Sequence, residues 1–206
     1  MLLKKLIVGP LDVNCYILAD STSKKGIIID PGGDFNRIDG VLKENNINLL
    51  YIIITHGHWD HIDAVNPIKS KYNCQICMNE KDIHMYVNSP DLASIFGFEA
   101  ESPLPIDIFV SEPDVLHAGA ISLKVLNTPG HSMGSISLNS GNILFTGDLI
   151  FQNGIGRTDL FGGDENLLKK SIIDKIFSFP DETIIYPGHG PSTTVGKEKS
   201  RFIFNY

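Results

Sequence analysis

Short apolar runs broken by small, turn-forming residues dominate the first sixty positions. Residues 2–8, 13–19 and 26–30 read as three strands joined by short turns. Gly26-Ile27-Ile28-Ile29-Asp30 lacks polar alternation, as in a strand covered on both faces, and Pro31-Gly32-Gly33 ends it. Asp34 can cap a helix in which Ile38, Val41 and Leu42 recur at helical spacing. A second continuous apolar run, 49–54, predicts another doubly covered strand. Thr55-His56-Gly57-His58-Trp59-Asp60-His61 follows directly, and a helix over about 60–71 carries Ala64, Val65 and Ile68 on one side.

The middle, 88–105, has three prolines and no period, and reads as a long loop whose Phe96 and Phe98 could cover an entrance. Strands resume at 106–110, 121–127, 135–139 and 142–146, with Gly141-Asn142 as a hairpin turn. A helix at 164–178 begins at Asp164 and carries Leu167, Leu168, Ile172 and Ile176. A strand at 183–186 leads into Pro187-Gly188-His189-Gly190, and a short helix is expected after Thr194. Strands and helices alternate with hairpins mixed in, which points to a layered α/β or sandwich arrangement with helices outside. The 206 residues fit a single domain, expected over 1–206.

Composition narrows the partners. Hydrophobic residues at 42% and charged residues at 20% place the chain among globular proteins. Its apolar runs are too short to span a bilayer, and the start, with two lysines and an apolar stretch that Pro10 ends, lacks the pattern of an export signal. A cytoplasmic protein without a membrane partner is expected. Lys and Arg number 17 against 24 Asp and Glu, and this −7 balance disfavours binding to a nucleic-acid backbone. Cys15, Cys74 and Cys77 are expected as thiols, with Cys74 and Cys77 facing opposite sides of a short strand as packing residues.

The histidines carry the chemistry. His56, His58 and His61 fall within six residues, with Asp60 between them, directly after a buried strand. Ligands at the end of a core strand sit on a rigid base. His131 follows Thr128-Pro129-Gly130, Asp148 follows Thr146-Gly147, and His189 follows Pro187-Gly188; each turn comes after an apolar strand. Four such loops converging at one sheet edge would offer too many ligands for one tetrahedral ion. They suit two ions about 3.5–4 Å apart. Mixed imidazole and carboxylate donors suit zinc, manganese or iron. His84 and His117 lack the glycine-turn context and read as ordinary histidines.

These motifs, T-H-G-H-W-D-H, P-G-H-S, T-G-D and P-G-H-G, resemble those of the metallo-β-lactamase fold superfamily. With Asp148 as a bridging carboxylate, the chain is similar to the glyoxalase II (hydroxyacylglutathione hydrolase) branch. The resemblance implies a four-layer αβ/βα sandwich with the metal site at one edge of the two inner sheets. It implies that His56, His58 and His131 hold one ion, that Asp60, His61 and His189 hold a second, and that Asp148 bridges them. Asp30, in I-I-I-D-P-G, matches the family's early aspartate, which supports ligands from behind. The C-terminal helical region of full-length glyoxalase II is expected to be absent after His189, which makes the resemblance one to the short bacterial glyoxalase II-like proteins.

The implied activity is thioester hydrolysis, with S-D-lactoylglutathione the leading substrate, through a hydroxide that bridges two divalent ions, zinc ahead of iron or manganese. Asp60 would orient that hydroxide as well as ligate. Arg157, in Gly154-Ile155-Gly156-Arg157-Thr158-Asp159, is the candidate for a substrate carboxylate, set against a salt bridge to Asp159 or Asp164. Trp59, Phe151 and Phe161 are candidates for the pocket wall. A similar G-R-T-D stretch occurs in persulfide dioxygenases, which share the fold and use one iron, so an iron dioxygenase is one alternative. A non-catalytic metal-binding module is another. A true β-lactamase and a nuclease rank lower. The expected partner is a small thioester, and the expected state is a monomer.

Overall fold

Period-two alternation along the strands decides the layers. The computed structural model describes residues 1–201. One sheet holds β1 (Leu2–Val8), β2 (Val13–Ala19), β3 (Lys25–Ile29), β4 (Asn48–Ile53), β5 (Gln75–Met78) and β6 (Ile108–Phe109), in chain order. Its first three strands are antiparallel, and β3 through β6 are parallel. The other sheet is built from β7 (Val115–Ala118), β8 (Ile121–Asn127), β9 (Ile136–Ser140), β10 (Ile143–Gly147), β13 (Ile184–Pro187) and β14 (Thr193–Thr194). Its spatial order is β14-β13-β10-β9-β8-β7. Between β10 and β13 a small hairpin pairs β11 (Ile150–Phe151) with β12 (Gly154–Ile155). The helices are α1 (Phe35–Glu44), α2 (Val65–Tyr72), α3 (Ile83–Val87), α4 (Ser89–Ile95), α5 (Glu165–Asp174) and α6 (Val195–Arg201).

Tyr16, Leu18, Ile27, Ile29 and Ile53 point into a core shared with Leu123, Val125, Leu138 and Phe145 of the other sheet. Their neighbours Cys15, Ile17, Ile28 and Ile52 point the other way, onto Ile38 and Leu42 of α1 and Val65 and Ile68 of α2. On the far side, Leu126, Leu144 and Ile185 pack against Leu168 and Ile172 of α5 and Val195 of α6. This is the expected four-layer αβ/βα sandwich. The continuous isoleucine runs are apolar throughout because each strand is covered twice.

Local differences have physical causes. The helix expected over 60–71 is divided into a 3-10 turn at Trp59–His61 and α2. The stretch expected as a loop at 88–105 begins with α4, in which Pro90 occupies the first turn, where its missing N–H costs nothing. Asp34 stands at the start of α1, but its carboxylate accepts from Gly9 N at 3.2 Å and from the Arg37 side chain at 3.3 Å instead of from a helix backbone N–H. Asp164 does cap α5, accepting from Leu167 N at 3.0 Å. The helix expected after Thr194 is α6; residues 202–206 lie outside the described residues.

All three cysteines are free and buried. Cys74 belongs to the outer core and Cys77 to the core between the sheets. Burial pushes the Cys74 thiol up to about 11 and that of Cys77 to about 12, so neither is a reactive thiolate at neutral pH. Among the described residues no helix is long and apolar enough to cross a membrane.

The topology gathers strand ends. Strands β3 and β4 are parallel, as are β10 and β13, and β8 runs the same way as β10 because each pairs antiparallel with β9. The loops carrying Asp30, His56, His131, Asp148 and His189 therefore leave carboxyl ends of strands, where open α/β sheets place their ligands. Phe145 wedges between the sheets, its ring centroid 5.0 Å from that of Tyr16 and 5.5 Å from that of Tyr186. Phe145→Ala is expected to lower the unfolding free energy by about 3–5 kcal/mol in a denaturant titration. A loss below about 1 kcal/mol would show that this core closes without the ring.

Candidate metal centre

The structure brings together all seven expected ligands. Donor atoms of His56, His58 and His131 lie within 4.8 Å of one another, as do those of His56, His61 and Asp148, and those of Asp60, His61 and His189. His58 Nδ1 stands 2.9 Å from His131 Nε2. Asp148 lies between the groups: Oδ2 is 3.7 Å from His131 Nε2 and 3.5 Å from His189 Nε2, and Oδ1 is 3.5 Å from His61 Nε2. Asp60 Oδ2 is 3.5 Å from His189 Nε2 and 3.7 Å from His61 Nε2.

Hydrogen bonds behind the ligands set which ring nitrogen is bare. Asp30, only 1% exposed, accepts from Thr55 N at 2.8 Å and from Thr55 Oγ1 at 2.7 Å. The Thr55 hydroxyl hydrogen is thereby committed, so His56 Nδ1 donates to Thr55 Oγ1 across 3.0 Å. His131 Nδ1 lies 2.8 Å from the Arg157 carbonyl, which can only accept, so that nitrogen also carries the proton. In both rings Nε2 is left with its lone pair facing the site. Asp30 Oδ2 also lies 3.1 Å from His61 Nδ1. Asp30 thus lies behind both His56, through Thr55, and His61.

Electrostatics divide the cluster. Burial and the neighbouring imidazoles of His61, His131 and His58 hold His56 well below the usual histidine range. Burial, with His131 beside it, takes His58 down to about 3. Burial also opposes charge on His61, but Asp148, Asp60 and Asp30 outweigh it and raise His61 well above the usual range. His189 is raised against burial by its bond to Asp60 and by Asp148. Burial works against ionisation of Asp148 and Asp60, yet the surrounding histidines keep both below the ordinary carboxylate range.

The residues fit a metal. Among the described residues His56 Nε2, His61 Nδ1, His61 Nε2 and Asp148 Oδ1 are buried without a hydrogen bond, His61 Nε2 and Asp148 Oδ1 being only in ion-pair range of each other at 3.5 Å, an arrangement that a bound cation would satisfy. Nitrogen and carboxylate donors are those that zinc, iron and manganese accept. Gly188 is required here, since a Cβ at that position would run into Asp148 Oδ1 and the His61 ring.

Other expected residues stand differently. The Arg157 side chain turns to Asp159, with Nε and Nη2 each 2.8 Å from a carboxylate oxygen, and only its carbonyl touches the site. This is the salt bridge weighed against a substrate role. Trp59 is buried and stacks on Phe98 at 4.7 Å, and Phe151 meets His189 edge-on at 6.3 Å. Phe161 is 75% exposed. His84 and His117 are both exposed and outside the cluster.

Sequence reasoning missed the groups that hold the loops. Asn14 N donates to Gly188 O at 2.7 Å, Asn14 Nδ2 to Pro187 O at 2.9 Å, and Tyr16 Oη to Pro187 O at 2.7 Å, fixing the His189 loop to β2. Glu198, fully buried in α6, accepts from Thr193 Oγ1 and from Asn153 N and so anchors the hairpin that carries Phe151. No local pattern marks these residues, because all of these partners but the Thr193 hydroxyl are backbone atoms far along the chain.

The fold, the converging strand ends and the buried donor cluster define a class of protein. Residues 8–189 match the Metallo-beta-lactamase superfamily, and the chain belongs to it as a metal-binding, hydrolase-type member. Among its relatives is the hydroxyacylglutathione hydrolase GloC of Haemophilus influenzae, 37% identical over 190 residues, which span 90% of this chain and 89% of GloC. Two solved structures are also similar. BLEG-1, a B3 metallo-β-lactamase, is 36% identical with a TM-score of 0.91, covering 98% of this chain and 99% of BLEG-1. The TTHA1623 protein in a di-iron-bound form is 31% identical with a TM-score of 0.89, covering 98% of this chain and 100% of that one.

Two outcomes follow from the geometry. Gly188→Ala is expected to leave the far-ultraviolet circular dichroism unchanged while lowering bound metal; a full metal complement would show that the loop has room for a Cβ. Zinc added to the metal-stripped protein at neutral pH is expected to expel the His61 proton, while His56 and His58 are already neutral. Calorimetry in buffers of different ionisation enthalpy reads that release, and heats independent of buffer would contradict these protonation states.

Proposed function

We propose that this chain is a metal-dependent thioester hydrolase of the glyoxalase II type, acting on S-D-lactoylglutathione or a related thioester. One observation supports this reading: Asp148 lies 3.5–3.7 Å from His61, His131 and His189, a position from which its carboxylate could serve two ions. The likeness to GloC supports the thioester class. His56, His58 and His131 would hold one ion, Asp60, His61 and His189 the other, and Asp148 both. Zinc is the first choice, with iron supported by the di-iron relative and manganese by the donor set. A divalent ion pair bound there supplies an acidified water as nucleophile and a Lewis acid for the acyl oxygen.

The chain's own groups do the rest. Asp60, kept ionised by His61 and His189, accepts a hydrogen bond from the attacking water and aims it at the acyl carbon. The leaving thiolate needs no strong acid, since a thiol has a pKa of about 8.5. The Trp59–Phe98 stack and the Phe151 ring wall the approach. Arg157 meets a substrate carboxylate in place of Asp159. We read the chain as acting alone on a small molecule in the cytoplasm, with 1–206 as one functional domain.

Hydrolysis of S-D-lactoylglutathione, followed by thiol release, tests this reading, and His56→Ala is expected to remove at least about 99% of turnover and part of the metal. Retention of both by the variant would sink the assignment. Arg157→Ala is expected to raise KM for the anionic thioester with little change in kcat; an unchanged KM removes Arg157 from substrate binding. The likeness to BLEG-1 makes β-lactam hydrolysis the second reading. Turnover of a chromogenic cephalosporin without thioester turnover would establish it, and oxygen uptake with glutathione persulfide would establish the dioxygenase instead.

A further inference from the structure

We infer that Asp82 is a positioning residue that sets the gap between the loops carrying His56, His58 and His131, and thereby the ion affinity of that half of the centre. Asp82 ends a 3-10 turn, Glu80–Asp82, after β5, and is 2% exposed. Its Oδ2 accepts from Gly57 N, between His56 and His58, at 3.0 Å. The same oxygen accepts from Ser132 Oγ, next to His131, at 2.6 Å. Its Oδ1 accepts from Gly134 N at 2.6 Å. One buried carboxylate is thus shared by two loops that otherwise meet at the site through His58 and His131.

Packing enforces the spacing that these bonds set. A Cβ at Gly134 would lie 2.6 Å from the Asp82 carboxylate, and a Cβ at Gly57 would lie 2.9 Å from the Asp82 carbonyl oxygen. Both loops therefore approach Asp82 at distances only glycine allows. Ser135 Oγ adds a bond to Ser132 N at 3.1 Å and one to Ser132 Oγ at 2.7 Å, which holds the hydroxyl on the carboxylate. An amide cannot substitute fully, because its NH2 would face one of the N–H donors.

The other half is held separately. His61 has Asp30 behind it, and the His189 loop is tied to β2 by Asn14 and Tyr16. Loss of the Asp82 carboxylate therefore loosens one triad and leaves the other, which a general loss of stability would not do. Groups that orient metal ligands from behind typically change affinity 10–100-fold.

The inference rests on reading these histidines as ion ligands, and the test separates the two claims. Co2+ binding is titrated by visible absorption in two backgrounds: His189→Ala, which keeps the three-histidine half, and His58→Ala, which keeps the other. Asp82→Ala is expected to weaken Co2+ binding at least about 10-fold in the first background and less than about 3-fold in the second. Asp82→Asn should fall between. Equal weakening in both backgrounds, or none in either, overturns the role of Asp82. Failure of the unsubstituted chain to bind Co2+ overturns the metal centre itself. If Asp82→Ala does not fold, Ser132→Ala decides: it removes one of three donors and should give a smaller shift, again only in the His189→Ala background. No shift there overturns the inference.

Discussion

The crowding of imidazoles and carboxylates at one edge of the two sheets is the constraint on which the rest of the structure depends. The His56 ring lies 4.7 Å from that of His58, 4.2 Å from that of His61 and 4.7 Å from that of His131. Their inward nitrogens are buried, and among the described residues four nitrogen and oxygen atoms of the cluster, His56 Nε2, His61 Nδ1, His61 Nε2 and Asp148 Oδ1, have no hydrogen-bond partner. Unpartnered buried polar groups are destabilising, and a divalent cation turns that cost into binding energy. The fold therefore has to hold these groups together against their own preference for solvent.

It does so by tying several of these residues down from behind. Asp30 and Thr55 fix His56, the Arg157 carbonyl fixes His131, and β2 ties down the Gly188–His189 turn. A backbone bond from Ile136 N to Thr55 O, 2.9 Å long, joins the two sheets at the level of the site. Glycines such as Gly57, Gly134 and Gly188 stand where backbone or ligand approaches too closely for a side chain. The centre is thus held on its inner side, while Arg157 and Phe161 are exposed.

Much of this was legible in the amino-acid order, for identifiable reasons. Histidines and an aspartate at close spacing directly after a buried strand are a recognisable metal-donor pattern, so His56, His58, Asp60 and His61 announce themselves. His131, Asp148 and His189 repeat the strand–turn–ligand pattern. The isoleucine runs at 27–29 and 52–54 show a strand covered twice, and hence the layers. Asp82 was not legible. It sits in a polar Asn79-Glu80-Lys81-Asp82 stretch that looks like any turn, and its partners come from loops 25 and more residues away. Glu198 and Asn14 escaped notice for the same reason. The helix at Ser89–Ile95 was hidden because Pro90 reads as a breaker, although the first turn tolerates it. The 3-10 turn at Trp59–His61 breaks the expected helix because Asp60 and His61 must both reach the site.

The central claim is that Asp148 lies between two ion positions and not beside one. The most direct measurement is the number of metal ions per chain, by elemental analysis of protein purified without air and titrated with excess metal. Two ions per chain, falling to one in His189→Ala, is the expected result. One ion per chain that does not rise with added metal would contradict it.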